Sequence, residues 1–334
     1  MDVANTTIIG AIADALRVAM RRDERVMILG EDVGVNGGVF RATEGLQEEF
    51  GEARVMDTPL AESAIIGASV GLAVNGMIPI AEIQFLAFVY PAYEQLVSHV
   101  ARIRMRSQGR FTVPLVVRAP YGGGIRAPEL HCDSPEVIFA HTPGLKVVVP
   151  STPYDAKGLL LAAIADPDPV LFLEPMHIYR SFREEVPEEY YTVPIGKARL
   201  AQSGTDCSLF AWGAMLQVAM QGADMVRKTH GVSVEVIDLR TLSPLDRMAI
   251  RDSVLKTGRA VVLHEAPRNA GLGAEIVATI NDLALDALMA PVIRVTGYDT
   301  PYPLFALEDV YVPDAARVAQ GIMQAMNYEI GARL

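Results

Sequence analysis

The sequence predicts an α/β protein built as two doubly wound, largely parallel-sheet domains. Three observations predict it. Short apolar runs of strand length alternate with helix-length amphipathic stretches along nearly the whole chain. The alternation breaks once, at the acidic, proline-containing stretch from Arg183 to Pro194, which reads as an interdomain linker. A chain of 334 residues is also long enough for two cores. The expected layout is a first domain over 1–185, a linker over 186–200 and a second domain over 201–334.

The elements of the first domain follow in order. Thr6 or Thr7 starts a helix reaching about Arg22, with Ile8, Ile12, Leu16 and Ala19 on one face. Arg25 to Gly30 is a buried strand. The loop from Glu31 to Phe40 lies at its C-terminal end, where α/β folds place ligands. Thr43 starts a short helix to Phe50, and Arg54 to Met56 is a short strand. An apolar helix follows, with Asp57 or Thr58 as its cap, Pro59 in its first position and Glu62 one turn in. Ile65, Ile66, Val70, Leu72 and Val74 alternate there with small residues, so this helix should be buried on nearly all sides. Ile78 to Ile83 is a strand. Pro91 opens a long helix to about Arg106, with a basic end suited to a helix C-terminus. A strand from Val113 to Arg118 leads into a Gly/Pro-rich loop, Ala119 to Asp133. A short helix (Pro135 to Ala140), a strand (Leu145 to Val149), a helix from Ser151 to about Ala165 and a strand (Pro169 to Leu173) complete the domain.

The second series is more regular. Strands are predicted at Cys207 to Ala211, Ser233 to Ile237, Arg259 to His264 and Val292 to Thr296. Helices are predicted at Ala214 to Thr229, Leu245 to Lys256, Ala274 to Leu285 and Asp314 to Met326.

Composition removes several function classes. Net charge is −11 and no long Lys/Arg run occurs, which argues against a nucleic-acid partner. The longest clean apolar run, Ala64 to Val74, is too short to span a bilayer. Two cysteines, Cys132 and Cys207, make neither a disulfide framework nor a zinc site. The first residues carry no secretory pattern, so a reducing, cytoplasmic setting is expected. The chain is 51% hydrophobic with a mean hydropathy of +0.25, which predicts apolar surface covered by subunit contacts.

Familiar cofactor motifs fail. There is no P-loop. Gly271-Leu-Gly273-Ala-Glu-Ile276 has isoleucine where a dinucleotide fingerprint wants Gly or Ala. His131 and Cys132 are adjacent in extended chain and point apart, which disfavours a nucleophile pair. Three ligand-ready features remain: the Glu31-Asp32 loop, Glu62 and the loop bearing His131. Each follows a strand end, so they could converge on one sheet edge, and Phe85, Phe88 and Tyr90 add aromatic surface. A carboxylate, an aromatic wall and a histidine suit a heteroaromatic cofactor. Each also has a plainer reading. Glu62 can satisfy a helix N-terminus, His131 can be a structural hydrogen bonder, and Glu31 can be a solvated loop carboxylate.

A set of motifs recurs in order: Gly30-Glu-Asp-Val-Gly34, Gly37-Gly-Val-Phe40, Asp57-Thr-Pro-Leu-Ala-Glu62 and Glu82-Ile-Gln-Phe85. Pro143-Gly-Leu-Lys-Val-Val148, Ser151-Thr-Pro-Tyr-Asp-Ala-Lys-Gly158, Glu235-Val-Ile-Asp-Leu-Arg-Thr-Leu242 and Lys256-Thr-Gly-Arg259 follow. Over nearly its whole length the chain resembles the β subunits of the thiamine-diphosphate-dependent decarboxylase component of 2-oxo acid dehydrogenase complexes. The resemblance implies a transketolase-like pyrimidine-binding domain followed by a transketolase C-terminal domain. It implies that Glu62 hydrogen-bonds N1′ of the aminopyrimidine and favours its imino tautomer. It places Phe88 against the pyrimidine ring, and gives His131 a part in proton transfer and in receiving the lipoyl group. Relatives commonly read His-Ser where this chain reads His131-Cys132. Glu31 would join an acidic network between paired active sites. A potassium ion would be held at Leu115, Ala163, Ile164, Asp166 and Asp168, where Asp166-Pro-Asp168-Pro is equally at home as an ordinary Asx turn.

No Gly-Asp-Gly occurs in the chain. In the family that magnesium-diphosphate half-site belongs to a separate α subunit. The resemblance therefore implies a heterotetramer of two α and two β chains, with contact to a second β subunit and to a lipoyl-bearing acyltransferase. The implied reaction is oxidative decarboxylation of pyruvate or a branched-chain 2-oxo acid, with acyl transfer to the lipoyl group. The alternatives are an acetoin dehydrogenase β subunit and a non-catalytic assembly subunit.

Overall fold

A computed structural model describes residues 3–329 of the chain. The expected domains' outermost residues, 1–2 and 330–334, lie outside the described residues. Contacts divide the chain into two compact units. The first comprises 1–121, 130–195 and 242–244; the second comprises 122–129, 196–241 and 245–334.

The first unit begins with β1 (Val3–Thr6) and α1 (Ile8–Arg22). Thr7 caps α1 by accepting the Gly10 N–H, and Ile8, Ile12, Leu16 and Ala19 are buried, as the 3.6-residue spacing predicts. Next come β2 (Val26–Gly30), α2 (Leu46–Phe50), β3 (Val55–Asp57), α3 (Glu62–Val74) and β4 (Ile78–Glu82). Then follow α4 (Ile103–Arg106), β5 (Val116–Tyr121), α5 (Glu136–Ala140) and β6 (Lys146–Val148). The unit closes with α6 (Pro153–Ile164), β7 (Val170–Pro175) and β8 (Glu184–Pro187). Pro153 fills the first turn of α6, where its missing N–H costs nothing, and Thr152 caps that helix by accepting the Asp155 N–H at 3.2 Å.

In the second unit the order is β9 (Arg199–Gln202), β10 (Cys207–Ala211), α7 (Met215–His230) and β11 (Val234–Asp238). The chain then returns to the first unit as β12 (Thr241–Ser243), an edge strand of that unit's sheet, before α8 (Arg247–Thr257), β13 (Ala260–Pro267), α9 (Leu272–Ala284) and β14 (Ile293–Gly297) of the second. The short α10 (Glu308–Tyr311) and then α11 (Ala315–Met326) end it. Its sheet runs β14-β13-β10-β11-β9, parallel except for β9. The seven-stranded sheet of the first unit runs β12-β6-β7-β5-β4-β2-β3, with parallel pairs from β6 through β3. Strands β2, β4, β5 and β7 are buried along their whole length, as expected where helices cover both faces.

Four sequence expectations change. Helix α3 begins at Glu62 itself, with Ala61 before it and no side-chain cap. Asp57 and Thr58 are drawn away from capping. The Asp57 carboxylate accepts the Gly34 N–H at 2.6 Å, and the Thr58 N–H donates to the Gly30 carbonyl. Nor is α3 buried on all sides: Ser63, Ala64, Ala68 and Gly71 leave a small-residue face open on this chain. The long helix expected from Pro91 to Arg106 is broken into a 3₁₀ stretch (Leu86–Ala92), a π stretch (Gln95–Val100) and α4. Finally, the stretch expected as a bare linker contains β8, which pairs antiparallel with β1, Val3 opposite Pro187 and Thr6 opposite Glu184. Buried Lys157 on α6 fastens that strand end. Its ammonium donates to the carbonyls of Pro187 and Glu188 and pairs with Asp14 on α1 at 2.6 Å.

Candidate active site

Parallel strands deliver their C-terminal ends to one edge of the first unit, and the candidate residues leave from those ends. Gly30 ends β2 in register with Asp57 of β3 and with Glu82 of β4. From Gly30 the chain enters the loop bearing Glu31. That loop is fixed by its own polar groups: the Gly38 N–H donates to the Asp32 carbonyl, and buried Thr43 donates its hydroxyl to the Val33 carbonyl. Gly38 has φ +79°, and a Cβ there would sit 3.2 Å from Oε1 of Glu82, so glycine lets the loop lie against that carboxylate.

Glu62 occupies the first residue of α3, where an anion is favoured by the helix dipole. Only 9% of it is exposed, yet among the described residues none donates a hydrogen bond to its carboxylate. The hydroxyl of nearby-in-sequence Thr58 is likewise buried without a hydrogen-bond partner among the described residues. A carboxylate so placed needs a donor from elsewhere. Glu31 shares its surroundings: burial, then the charges of Glu62 and Asp32, hold the Glu31 carboxyl above its ordinary range. The aromatic wall and the histidine meet directly. The His131 ring stands edge-on to Phe85 at 4.6 Å between centroids and to Phe88 at 4.9 Å. Phe85 also meets Phe40 at 5.6 Å. Cys132 is fully buried while His131 is half-buried, and both lie in a turn rather than in the extended chain expected.

Beneath this wall lies a cluster that the sequence reading passed over. Arg118 of β5 is 1% exposed and donates to Glu82 of β4 at 2.6 Å and to both oxygens of Glu174 of β7 at 2.7 and 3.0 Å. Tyr179 donates its hydroxyl to Glu174 at 2.6 Å and packs its ring on Phe40. Two carboxylates share one guanidinium out of water. Burial pushes the Glu82 carboxyl up; Arg118 opposes this, and the Glu174 charge adds to it. Burial alone would lower the Arg118 guanidinium, but Glu174 and Glu82 outweigh it and hold it above its usual range. Burial and then Glu174 push the Tyr179 phenol up, so it stays a donor. The sequence carried only part of the signal: each of the three charged residues stands within or at the end of an otherwise apolar strand, while the neighbouring of those strands appears only in the sheet order.

The other expected positions lie elsewhere. Leu115, Ala163, Ile164, Asp166 and Asp168 do gather at the turn after α6 and the start of β7, and their oxygens are the donor type an alkali cation takes. Several are already engaged. Asp166 holds Lys146 at 2.6 Å, Asp168 holds Arg104 at 2.6 Å, and the Leu115 carbonyl accepts the Val170 N–H. The turn is thus charge-balanced by side chains. Gly271 and Gly273 have a packing role: a Cβ on either would fall within 3 Å of the buried His264 ring. Among the described residues no group of three or more His, Cys, Asp and Glu is placed to hold a metal ion, and no helix is long and apolar enough to cross a membrane.

A two-domain α/β chain with this site at the strand ends of its first unit defines a transketolase-like protein. Residues 5–181 match the transketolase pyrimidine-binding domain, and residues 196–318 match the transketolase C-terminal domain. The chain is 54% identical to the pyruvate dehydrogenase E1 component subunit beta of Bacillus subtilis, over 98% of this chain and all of that protein. The same subunit from Staphylococcus aureus is 52% identical over the same shares, and that from Acholeplasma laidlawii 52% over 95% of this chain and 97% of the relative. A split-gene transketolase, solved as an inactive β4 tetramer, shares the fold at a TM-score of 0.77 and 20% identity, over 97% of this chain and 99% of that one. The chain belongs to the family of β subunits of the thiamine-diphosphate-dependent decarboxylase component of 2-oxo acid dehydrogenase complexes.

Proposed function

We infer that this chain is the β subunit of a pyruvate dehydrogenase, an oxidoreductase that decarboxylates a 2-oxo acid and passes the acyl group to a lipoyl carrier. The observation that carries the reading is the nearly buried Glu62 carboxylate, to which none of the described residues donates a hydrogen bond, at the edge where a ligand would sit. Bound thiamine diphosphate would supply the electron sink that decarboxylation of a 2-oxo acid requires. The residues present fit its aminopyrimidine. Glu62 would hold a proton at the ring nitrogen N1′, and Phe88, backed by Phe85, would offer a flat apolar face. His131, set edge-on against both rings, would move a proton at the reacting carbon and meet the incoming lipoyl group. Glu31, charged at a cost beside Glu62, would serve as a proton store at the same edge.

The diphosphate and its magnesium are assigned to an α subunit, since the chain contains no Gly-Asp-Gly. The open small-residue face of α3 suits a second subunit's helix, because small side chains let helices approach closely. The proposal further includes a pair of each subunit per assembly, an acyltransferase partner, a cytoplasmic setting and a potassium ion at the 163–168 turn with Leu115. The test is co-expression with the α subunit, then calorimetric titration with thiamine diphosphate and magnesium and a pyruvate assay. The expected result is binding by the complex only, and a fall in kcat of about 100-fold or more in Glu62→Ala. Tight binding by this chain alone, or unimpaired turnover by the Glu62→Ala complex, overturns the reading.

A further inference from the structure

Strand β14 is an edge strand of the second unit's sheet, with β13 as its neighbour on one side only. An edge strand carries backbone groups that its own sheet leaves unpaired. Guanidiniums take two of the β14 carbonyls. Arg268, directly after β13, donates to the Arg294 carbonyl at 2.7 Å. Arg317 of α11 donates to the Thr296 carbonyl and, at 3.1 Å, to the Tyr311 carbonyl. Arg294, on β14 itself, donates back to the Arg268 carbonyl at 3.0 Å. The Arg317 guanidinium also lies over the Tyr298 ring, 4.8 Å from its centroid. These contacts hold three guanidiniums around one groove of about 330 Å³, which Gln320 and Gln324 of α11 line as well.

The charges of this groove do not balance. Asp299 is the one carboxylate in its lining, against three arginines, and it already accepts the Asn269 N–H at 2.6 Å. Among the described residues the three guanidiniums spend their contacts on carbonyls and a ring, and none forms a salt bridge. Arg268 and Arg294 each reach the other's backbone, which puts two like charges on one wall. Burial, then the Arg268 charge, hold the Arg294 guanidinium below its ordinary range, against the opposing pull of Asp299. In a chain whose net charge is −11, such a groove is a local reversal of sign, and like charges held together repel until an anion meets them.

The chemistry of the donors selects the anion. A guanidinium has five N–H donors, and each of these three uses one or two of them on carbonyls, so most remain for a ligand. The three forks come from three separate elements: the turn after β13, β14 and α11. A tetrahedral oxyanion can offer an oxygen to each of them, whereas a planar carboxylate has only two. The amides of Gln320 and Gln324 add neutral donors.

We propose that this groove of the second unit is a phosphate-binding site, in which Arg268, Arg294 and Arg317 hold a phosphate group by charge-assisted hydrogen bonds and Gln320 stands in its lining. The group is inorganic phosphate or the phosphate of a small monoester. Both present the same oxygens, and the groove is large enough for a few atoms beyond them.

The test uses the complex with the α subunit, loaded with thiamine diphosphate and magnesium so that a diphosphate site elsewhere is already filled. It is titrated calorimetrically with inorganic phosphate and with glycerol 3-phosphate at constant ionic strength, with sodium chloride as the blank. Three charge-assisted contacts predict a Kd of about 1 mM or tighter for at least one probe. Arg294→Met, which removes a charge, and Arg317→Lys, which keeps the charge but loses the fork, should each weaken binding about 10-fold or more. Gln320→Glu changes an exposed residue of α11 and sets a carboxylate three residues from Arg317, so it should leave the fold intact and weaken phosphate about as much. The tighter probe identifies the source: preference for glycerol 3-phosphate assigns the site to a monoester, and preference for inorganic phosphate assigns it to the free ion. Binding of neither probe at about 10 mM overturns the proposal. So does binding that survives all three variants, which places the phosphate elsewhere on the complex. If Arg294→Met and Gln320→Glu split the complex while neither probe binds the unaltered one, the guanidiniums meet another subunit's carboxylates, and the proposal is equally overturned.

Discussion

Replacing Arg118 by methionine isolates the cost of the buried cluster under the aromatic wall. The substitution keeps the length and apolar bulk of the side chain and removes three hydrogen bonds of 2.6, 2.7 and 3.0 Å, leaving Glu82 and Glu174 facing each other without a counter-charge. Removing one partner from a buried ion pair typically costs about 3–5 kcal/mol. At about 2–4 °C per kcal/mol for a unit of this size, the Tm should fall by about 6–20 °C at pH 8. The sign of the pH dependence is fixed by the same geometry. Glu82 already sits above its ordinary range because of burial, and losing Arg118 raises it further. An acid whose folded pKa is raised gives its full stability while protonated, and loses it as pH rises through that value. The deficit should therefore shrink at pH 5. The triple variant with Glu82→Gln and Glu174→Gln should recover most of it, since no charge is then stranded. Scanning calorimetry of the wild type and both variants at the two pH values measures all of this. A Tm within about 2 °C of wild type at pH 8, or an equal loss at pH 5, refutes the argument that the guanidinium neutralises a dry pair.

Two further outcomes are expected. Glu31 carries a carboxyl raised by burial and by the charges of Glu62 and Asp32, so Glu31→Gln should raise the Tm of this chain at pH 8 and leave it unchanged near pH 4, where both forms are neutral; thermal unfolding at both pH values checks it. Potassium chloride should raise the Tm above that in sodium chloride of equal ionic strength, and Asp166→Ala should abolish the difference. Equal Tm in the two salts removes potassium from the proposal.

The sequence exposed the fold where local signals agree and nothing tertiary competes with them. Helix α1 has both a cap residue, Thr7, and an unbroken apolar face, and the strands of the second unit are clean apolar runs between amphipathic helices. It was misleading where local and tertiary demands compete. Asp57-Thr-Pro59 looks like a helix start, but Asp57 is spent on the Gly34 N–H of a loop distant in sequence, and the helix waits until Glu62. A π stretch between Gln95 and Val100 leaves no periodic trace in so short a run. Strands β1 and β8 are four residues each and, among the described residues, form a two-stranded sheet by themselves, so neither carries the apolar run that marks a buried strand. At the candidate site, Glu62, Phe88 and His131 were legible as ligand-ready residue types after strand ends. Glu82, Arg118 and Glu174 were not, because their meaning lies in which strands neighbour each other, and strand order is not written in any one segment.

The pairing of β1 with β8 also has a temporal side. The first described strand of the chain finds its partner about 180 residues later, at Glu184–Pro187. During synthesis at about 5–20 residues per second, Val3–Thr6 would leave the ribosome and wait roughly 10–40 s before the partner strand follows. Lys157, the fastener of that partner's end, emerges only shortly before it. The first unit therefore cannot close from its beginning. Strands β2 to β7 of its main sheet can form progressively before the β1–β8 seal arrives, and the edge strand β12 follows only about 55 residues after β8.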